Sequence, residues 1–151
     1  MIYLASDHGG YKLKEILKIF LLKSKIEYVD LGPDHMDSND DYPDYAKKVA
    51  EQVSRDSEKS IGILACRSGQ GMCVAANKIK GVRAVSAWNE KLAFSTRNDD
   101  FANVLCLATD YLKLSEAEKI VKKFIKTPFS KEARHIRRIK KVKKLESRAK
   151  N

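Results

Sequence analysis

The stretch Cys66-Arg67-Ser68-Gly69-Gln70-Gly71-Met72 puts a thiol directly ahead of a glycine-rich turn. Before it runs Ile61-Gly62-Ile63-Leu64-Ala65, a short apolar segment that reads as a buried strand. After it, Met72-Cys73-Val74-Ala75-Ala76-Asn77-Lys78 reads as a helix. The thiol is therefore expected at the carboxyl end of a strand. There the amides of the turn and the dipole of the following helix favour negative charge. The same field is expected to lower the thiol's pKa and expose a thiolate. One segment thus combines a base or nucleophile with a cradle for an oxyanion or phosphate. A dinucleotide fingerprint fits poorly, because the turn follows the third strand and Val74 stands where the third glycine belongs.

Other residues have the chemistry to assist. In Asp7-His8-Gly9-Gly10, Asp7 could accept hydrogen bonds from sugar hydroxyls and His8 could bind phosphate or orient a hydroxyl. Equally, Asp7 could cap a helix and His8 could lie on the surface. Asp99 and Asp100 are adjacent carboxylates suited to acid–base work or, by default, to capping the helix before them. Arg134, His135, Arg137 and Arg138 cluster within one and a half turns if helical. Guanidinium groups bond phosphate in a fork, which lysine does not. Cys73 and Cys106 fall inside helical and strand patterns and read as packing, and His35 as a loop residue.

The elements that must position these groups alternate along the chain. Strand patterns occupy 2–6, 26–31, 60–65, 83–87 and 102–108, and helical patterns 11–23, 45–54, 71–78, 90–97 and 115–126. Ser115 followed by Glu118 has capping-box spacing, and Pro128 ends the last of these helices. Strand alternating with helix predicts an α/β fold: a five-stranded parallel sheet in a three-layer α/β/α, Rossmann-like arrangement. Ligands of such folds bind outside the carboxyl ends of the strands. No repeat or linker divides the chain, so residues 1–151 are expected to form a single domain, with 130–151 as a basic helical extension.

Composition narrows the classes further. Of the 151 residues, 43% are hydrophobic and 33% charged, as in ordinary soluble domains. No run reaches the roughly 18 apolar residues of a membrane span, and the first residues lack the pattern of a signal peptide. Three cysteines without CxxC spacing favour free thiols, a cytoplasmic location and no structural zinc. The formal net charge of +10 is concentrated: the segment 131–151 has ten Lys or Arg against two Glu, which leaves +2 for the rest. Such a tail could bind a polyanion or a phosphorylated small molecule, or be a solvated helix face. It lacks the interleaved aromatics of single-strand binders, so nucleic acid is not indicated. Ile136, Ile139, Val142 and Leu145 recur every three residues, a stripe that winds around a helix and suits docking on two surfaces or a partner subunit.

Five segments occur together in order: Asp7-His8-Gly9-Gly10, Asp41-Tyr42-Pro43-Asp44-Tyr45-Ala46, Cys66 to Gly71 with Ala75-Ala76-Asn77-Lys78, Ala102-Asn103-Val104-Leu105, and Arg134-His135-Ile136-Arg137-Arg138. Over about residues 1–140 the chain resembles the ribose-5-phosphate isomerase B and galactose-6-phosphate isomerase family. The resemblance implies an aldose–ketose isomerase of phosphorylated sugars that needs no metal or other cofactor. It implies Cys66 as the base that carries a proton between C1 and C2 through an enediolate. The backbone of Ser68, Gly69, Gln70 and Gly71 would stabilise its oxygen. Asp7, His8 and Tyr42 would contact the sugar or its phosphate. Arg134 and Arg138 would reach the phosphate in a neighbouring subunit's site, which makes a homodimer, and potentially a tetramer, part of the expectation.

The chain also departs from that family. Asp99 stands where the family has the histidine taken to open the furanose ring, and Asp100 where it has asparagine. Asp110 replaces an arginine, and Arg67 a glycine. Three expectations follow: Asp99 takes over ring opening on ribose 5-phosphate; the substrate is an already open-chain phosphosugar such as a tetrose phosphate; or Arg67 replaces the lost arginine as a ligand and raises the thiolate fraction of Cys66. The second and third are compatible. The competing class is a non-catalytic relative whose cationic tail holds a polyanion.

Overall fold

The computed structural model describes residues 1–148, so residues 149–151 of the basic extension lie outside it. The chain runs β1 (Ile2–Ser6), α1 (Tyr11–Lys23), β2 (Tyr28–Asp30), α2 (Tyr42–Arg55), β3 (Ile61–Cys66), α3 (Gln70–Ala76), β4 (Ala84–Ser86), α4 (Glu90–Asp100), β5 (Val104–Ala108), α5 (Leu114–Lys126) and α6 (Ala133–Arg148). The strands form one sheet in the order β2-β1-β3-β5-β4, with every pair parallel. This is the expected α/β architecture.

The sheet is covered on both faces because its central strands are apolar on both. Along β3, Ile61, Ile63 and Ala65 join the core under α1, α4 and α5, with Leu17, Ala93, Ile120 and Phe124. Leu64 and Cys66 join the opposite core, with Val49 and Val53 of α2 and Met72 of α3. The two-residue period of a strand makes this division. Phe124 is fully buried, and truncating such a side chain to Ala costs about 3–5 kcal/mol.

Several element boundaries differ from the sequence expectation, each for a local reason. Helix α2 begins at Tyr42 rather than 45, since Pro43 in its first turn has no N–H to leave unpaired. Helix α4 continues to Asp100 rather than 97 and stops at Phe101, whose φ of 52° is left-handed. Phe101 is held there by stacking on Phe129 at 4.7 Å. The Ser115/Glu118 capping box does not form. Helix α5 starts at Leu114, and Glu116 accepts the Lys113 N–H at 3.0 Å instead. In α6, Ile139 is buried while Val142 and Leu145 are exposed, so the three-residue stripe does wind off the protein face.

Candidate active site

Cys66 is the last residue of β3, and the chain then turns sharply into α3. Gly69 makes the turn with φ 74°, a conformation open to glycine at little cost. The turn folds back so that the Gly69 N–H donates to Cys66 Sγ at 3.2 Å, and the amides of Ser68 and Met72 also point at the sulfur. The amides of the turn thus converge on the sulfur itself, rather than on an open position beside it for a substrate oxygen.

The thiol's ionisation is not as expected. Burial pushes the Cys66 pKa up, and the charge of Asp7 adds to it, against the lowering by the amides of Met72, Gly69 and Ser68. With 5% of the residue exposed, loss of water outweighs the field of the turn. Cys66 is thus held as a thiol near neutral pH, and the expected lowering of its pKa is corrected. A raised pKa also outweighs any thiolate-promoting effect expected of Arg67.

Around this sulfur the carboxyl edge of the sheet gathers most of the other candidates. Asp7 follows β1, is buried, and accepts the Gly10 N–H at 2.9 Å. Burial raises its pKa, against the lowering effect of that hydrogen bond. Asp7 thus closes the turn ahead of α1, whose N-cap is Gly10, and its charge is felt by the thiol. His8, partly exposed, bonds through Nδ1 to Asp40 at 2.6 Å. The Tyr42 ring lies over Gly71, where an added Cβ would come within 2.9 Å of the ring. Ser68 and Gln70 are exposed on the turn, and Ser68 Oγ accepts the Gln70 N–H at 3.3 Å. Arg67 is exposed and donates from Nε to Asp110 at 3.1 Å.

Asp99, Asp100, Arg134 and Arg138 lie elsewhere. Asp99 and Asp100 end α4, just before β5 starts at Val104, whereas Cys66 pairs in register with Ala108 at the other end of β5. Five residues of strand span about 13 Å, so these carboxylates sit at the amino edge, a sheet's depth from the thiol. Helix α6 belongs to that edge too: Glu146 accepts from the Gly81 N–H at 3.2 Å, and Lys143 pairs with Glu58 at 3.4 Å. Arg134 bonds Glu132 at 2.8 Å, and Arg138 is exposed. His135, in contrast, is buried, with Nδ1 2.6 Å from Ser130 Oγ and 3.9 Å from Asp99. It anchors the tail rather than offering a surface cation. A single chain therefore does not bring Asp99, Asp100, Arg134 or Arg138 to Cys66.

The sequence reading missed Asp40, a buried carboxylate on His8. It sits in a loop with no periodicity, and only its place just before Asp41-Tyr42-Pro43 could have drawn notice. Among the described residues no group of three or more His, Cys, Asp or Glu is placed to hold a metal ion, and no helix is long and apolar enough to cross a membrane.

A doubly wound α/β domain with a thiol under main-chain donors at its carboxyl edge fits an enzyme of small anionic substrates. The sequence profile of the ribose/galactose isomerase family matches residues 2–142, and the chain belongs to that family. A crystal structure of ribose-5-phosphate isomerase B from Mycoplasma genitalium with bound ribulose-5-phosphate superposes with a TM-score of 0.93 at 47% identity, covering 97% of this chain and 95% of that one. The Clostridium thermocellum ribose-5-phosphate isomerase B structure gives 0.92 at 37% identity, with 98% of each chain covered. Ribose-5-phosphate isomerase B of Mycobacterium tuberculosis is 36% identical over 138 residues, 91% of this chain and 85% of that protein.

Proposed function

We propose that this isomerase interconverts ribose 5-phosphate and ribulose 5-phosphate by proton transfer at Cys66. The observation that carries the reading is the Cys66 sulfur at the carboxyl edge, ringed by the amides of Ser68, Gly69 and Met72 and adjoining Asp7. The thiolate removes the C2 proton of the open-chain aldose to give an enediolate, the O2 hydroxyl proton passes to O1, and the thiol returns its proton to C1, leaving the C2 carbonyl of the ketose. Amides already aimed at the sulfur stabilise the thiolate as it forms, at no cost of reorganisation. A base whose pKa is raised is strong once ionised, but is ionised in a small fraction of molecules at neutral pH.

The remaining roles are those that the family resemblance implies. Asp7 and Tyr42 hold sugar hydroxyls, and His8 holds the phosphate. The backbone of Ser68, Gly69, Gln70 and Gly71 lines the reacting carbons. Asp99, Asp100, Arg134 and Arg138 complete the site from a second copy, because in their own protomer they occupy the opposite edge of the sheet. Asp99 then serves ring opening, and the two arginines grip phosphate. Arg67 supplies the cation that Asp110 no longer can. The relatives' names and the ribulose-5-phosphate complex of the Mycoplasma genitalium protein support this substrate.

Coupled assays on ribose 5-phosphate, allose 6-phosphate, galactose 6-phosphate and erythrose 4-phosphate, with wild-type and Cys66→Ala protein side by side, test the reading. Turnover of ribose 5-phosphate that disappears in Cys66→Ala supports it. Preference for erythrose 4-phosphate would replace the substrate, and silence on all four would end the enzymatic reading.

A further inference from the structure

The carboxylate that holds His8 has no part in the reaction described above, yet its surroundings are those of a built feature. Asp40 Oδ1 is 2.6 Å from His8 Nδ1, and the Asp40 side chain is 5% exposed against 36% for His8. Its second oxygen, Oδ2, is buried and has no hydrogen-bond partner among the described residues. A buried carboxylate committed to one neighbour is costly unless that neighbour balances its charge. The loop that brings it there is fastened along its length. Tyr11 donates its hydroxyl to the Asp34 carbonyl at 3.1 Å, and Asp30 accepts the Gly32 N–H at 3.0 Å. Next to the carboxylate, the Asp40 N–H donates to the Asp37 carbonyl at 3.2 Å.

An ionised carboxylate only accepts, so the proton shared with Asp40 resides on His8 Nδ1, and Nε2 has an N–H to donate only when the ring takes up a second proton. We propose that Asp40 is a positioning residue: it fixes the tautomer and the positive charge of His8, so that Nε2–H is presented as a donor to the anionic group of the phosphorylated substrate. The inference rests on the reading of His8 given under the proposed function. The electrostatics agree. The hydrogen bond to Asp40 lifts the His8 pKa above the ordinary imidazole range, Asp7 adds to it, and burial and Arg67 oppose it. Those three side chains come from the turn after β1, the loop before α2 and the turn after β3. On α2, Tyr45 also feels Asp40, together with burial and the carboxylates of Asp37, Asp44 and Asp34. The sign is that of a raised base: His8 carries its charge at lower pH, and the grip on the anion weakens as pH climbs through the raised value.

Nitrogen-15 NMR titration of the His8 ring, in full-length wild-type protein and in Asp40→Asn without substrate, tests the pairing directly, with His8→Asn spectra assigning the signals. The wild-type ring is expected to hold its proton on Nδ1 and to titrate above an ordinary imidazole. Asp40→Asn should lower that midpoint. It should also raise KM for ribose 5-phosphate at neutral pH by roughly tenfold, the order of one lost charge-assisted hydrogen bond, with a smaller change in kcat. Asp40→Glu should return part of the loss, and Asp40→Asn should add nothing in an His8→Asn background. An unchanged midpoint and tautomer in Asp40→Asn, or an equal rise in KM without His8, would overturn the proposal. Wild-type protein silent on ribose 5-phosphate would overturn the substrate assignment, while the titration still reads the pair by itself.

Discussion

Arg67 Nε donates to the Asp110 carboxylate at 3.1 Å, joining the turn after β3 to the turn after β5. The backbone ties the same two turns, with the Asp110 N–H donating to the Arg67 carbonyl at 3.0 Å. By the resemblance drawn from the sequence, the chain has an arginine and an acid where the family has a glycine and an arginine, and here the two are paired. The Arg67 stem lies against Gly9, next to the His8 turn. Exposed pairs of this kind add at most about 1 kcal/mol to stability, so substitutions here test the ligand role proposed for Arg67 with little effect on folding.

Arg67→Gly is accordingly expected to raise KM for the sugar phosphate by roughly tenfold, the order of one lost charged hydrogen bond, with kcat and melting temperature little changed. The double variant Arg67→Gly/Asp110→Arg should recover most of that loss. Steady-state kinetics of the two proteins decide the point; a double variant as poor as the single one would separate Arg67 from the ligand.

Thiol chemistry supplies a second expectation. Because burial and Asp7 hold the Cys66 pKa up, iodoacetamide inactivation should accelerate with pH and reach its midpoint above the roughly 8.5 of a free thiol. Asp7→Asn removes a negative neighbour and should lower that midpoint. Alkylation rates followed by intact mass from pH 6 to 10 (about the range a thiol spans) measure both. A Cys66 midpoint below that of a free thiol would restore the reading the bare sequence suggests.

The shared sites of the proposed dimer predict complementation. Cys66→Ala and Arg138→Ala should each be nearly inactive alone. Refolded together in equal amounts they form mixed dimers in half of the molecules, each with one intact site, for about a quarter of wild-type activity by two-fold symmetry. No recovery on mixing, with mixed dimers shown to be present, would place Cys66 and Arg138 in separate functions.

Gly69→Ala tests the turn itself. A side chain at φ 74° costs about 1–2 kcal/mol, and the Gly69 amide would lose its aim at the sulfur. A fall in kcat larger than any change in KM is expected, with a melting temperature a few degrees lower. Unchanged kcat would remove the Gly69 amide from the reaction.

Much of this was legible in the residues. Apolar runs with period two or 3.6 located all five strands and the helices between them, and the thiol-glycine turn marked the carboxyl edge. What stayed hidden depends on three-dimensional packing. The depth at which Cys66 sits, which reverses the expected shift of its pKa, is set by Met72 and the elements packed around it. Phe101 ends α4 in a left-handed conformation because Phe129, from a distant segment, stacks on it. His135, one of a run of apparent surface cations, proved buried against Ser130. Asp40 could not be read as the partner of His8, since 32 residues of chain separate them.

The central claim is that one thiol carries the proton between adjacent carbons of the sugar phosphate. The measurement closest to it is deuterium uptake during turnover of ribose 5-phosphate in D2O, followed by NMR for wild-type and Cys66→Ala protein. Wild-type protein should place deuterium at C1 of ribulose 5-phosphate, and Cys66→Ala should yield neither exchange nor product. Product formed by Cys66→Ala at the wild-type rate would contradict the account.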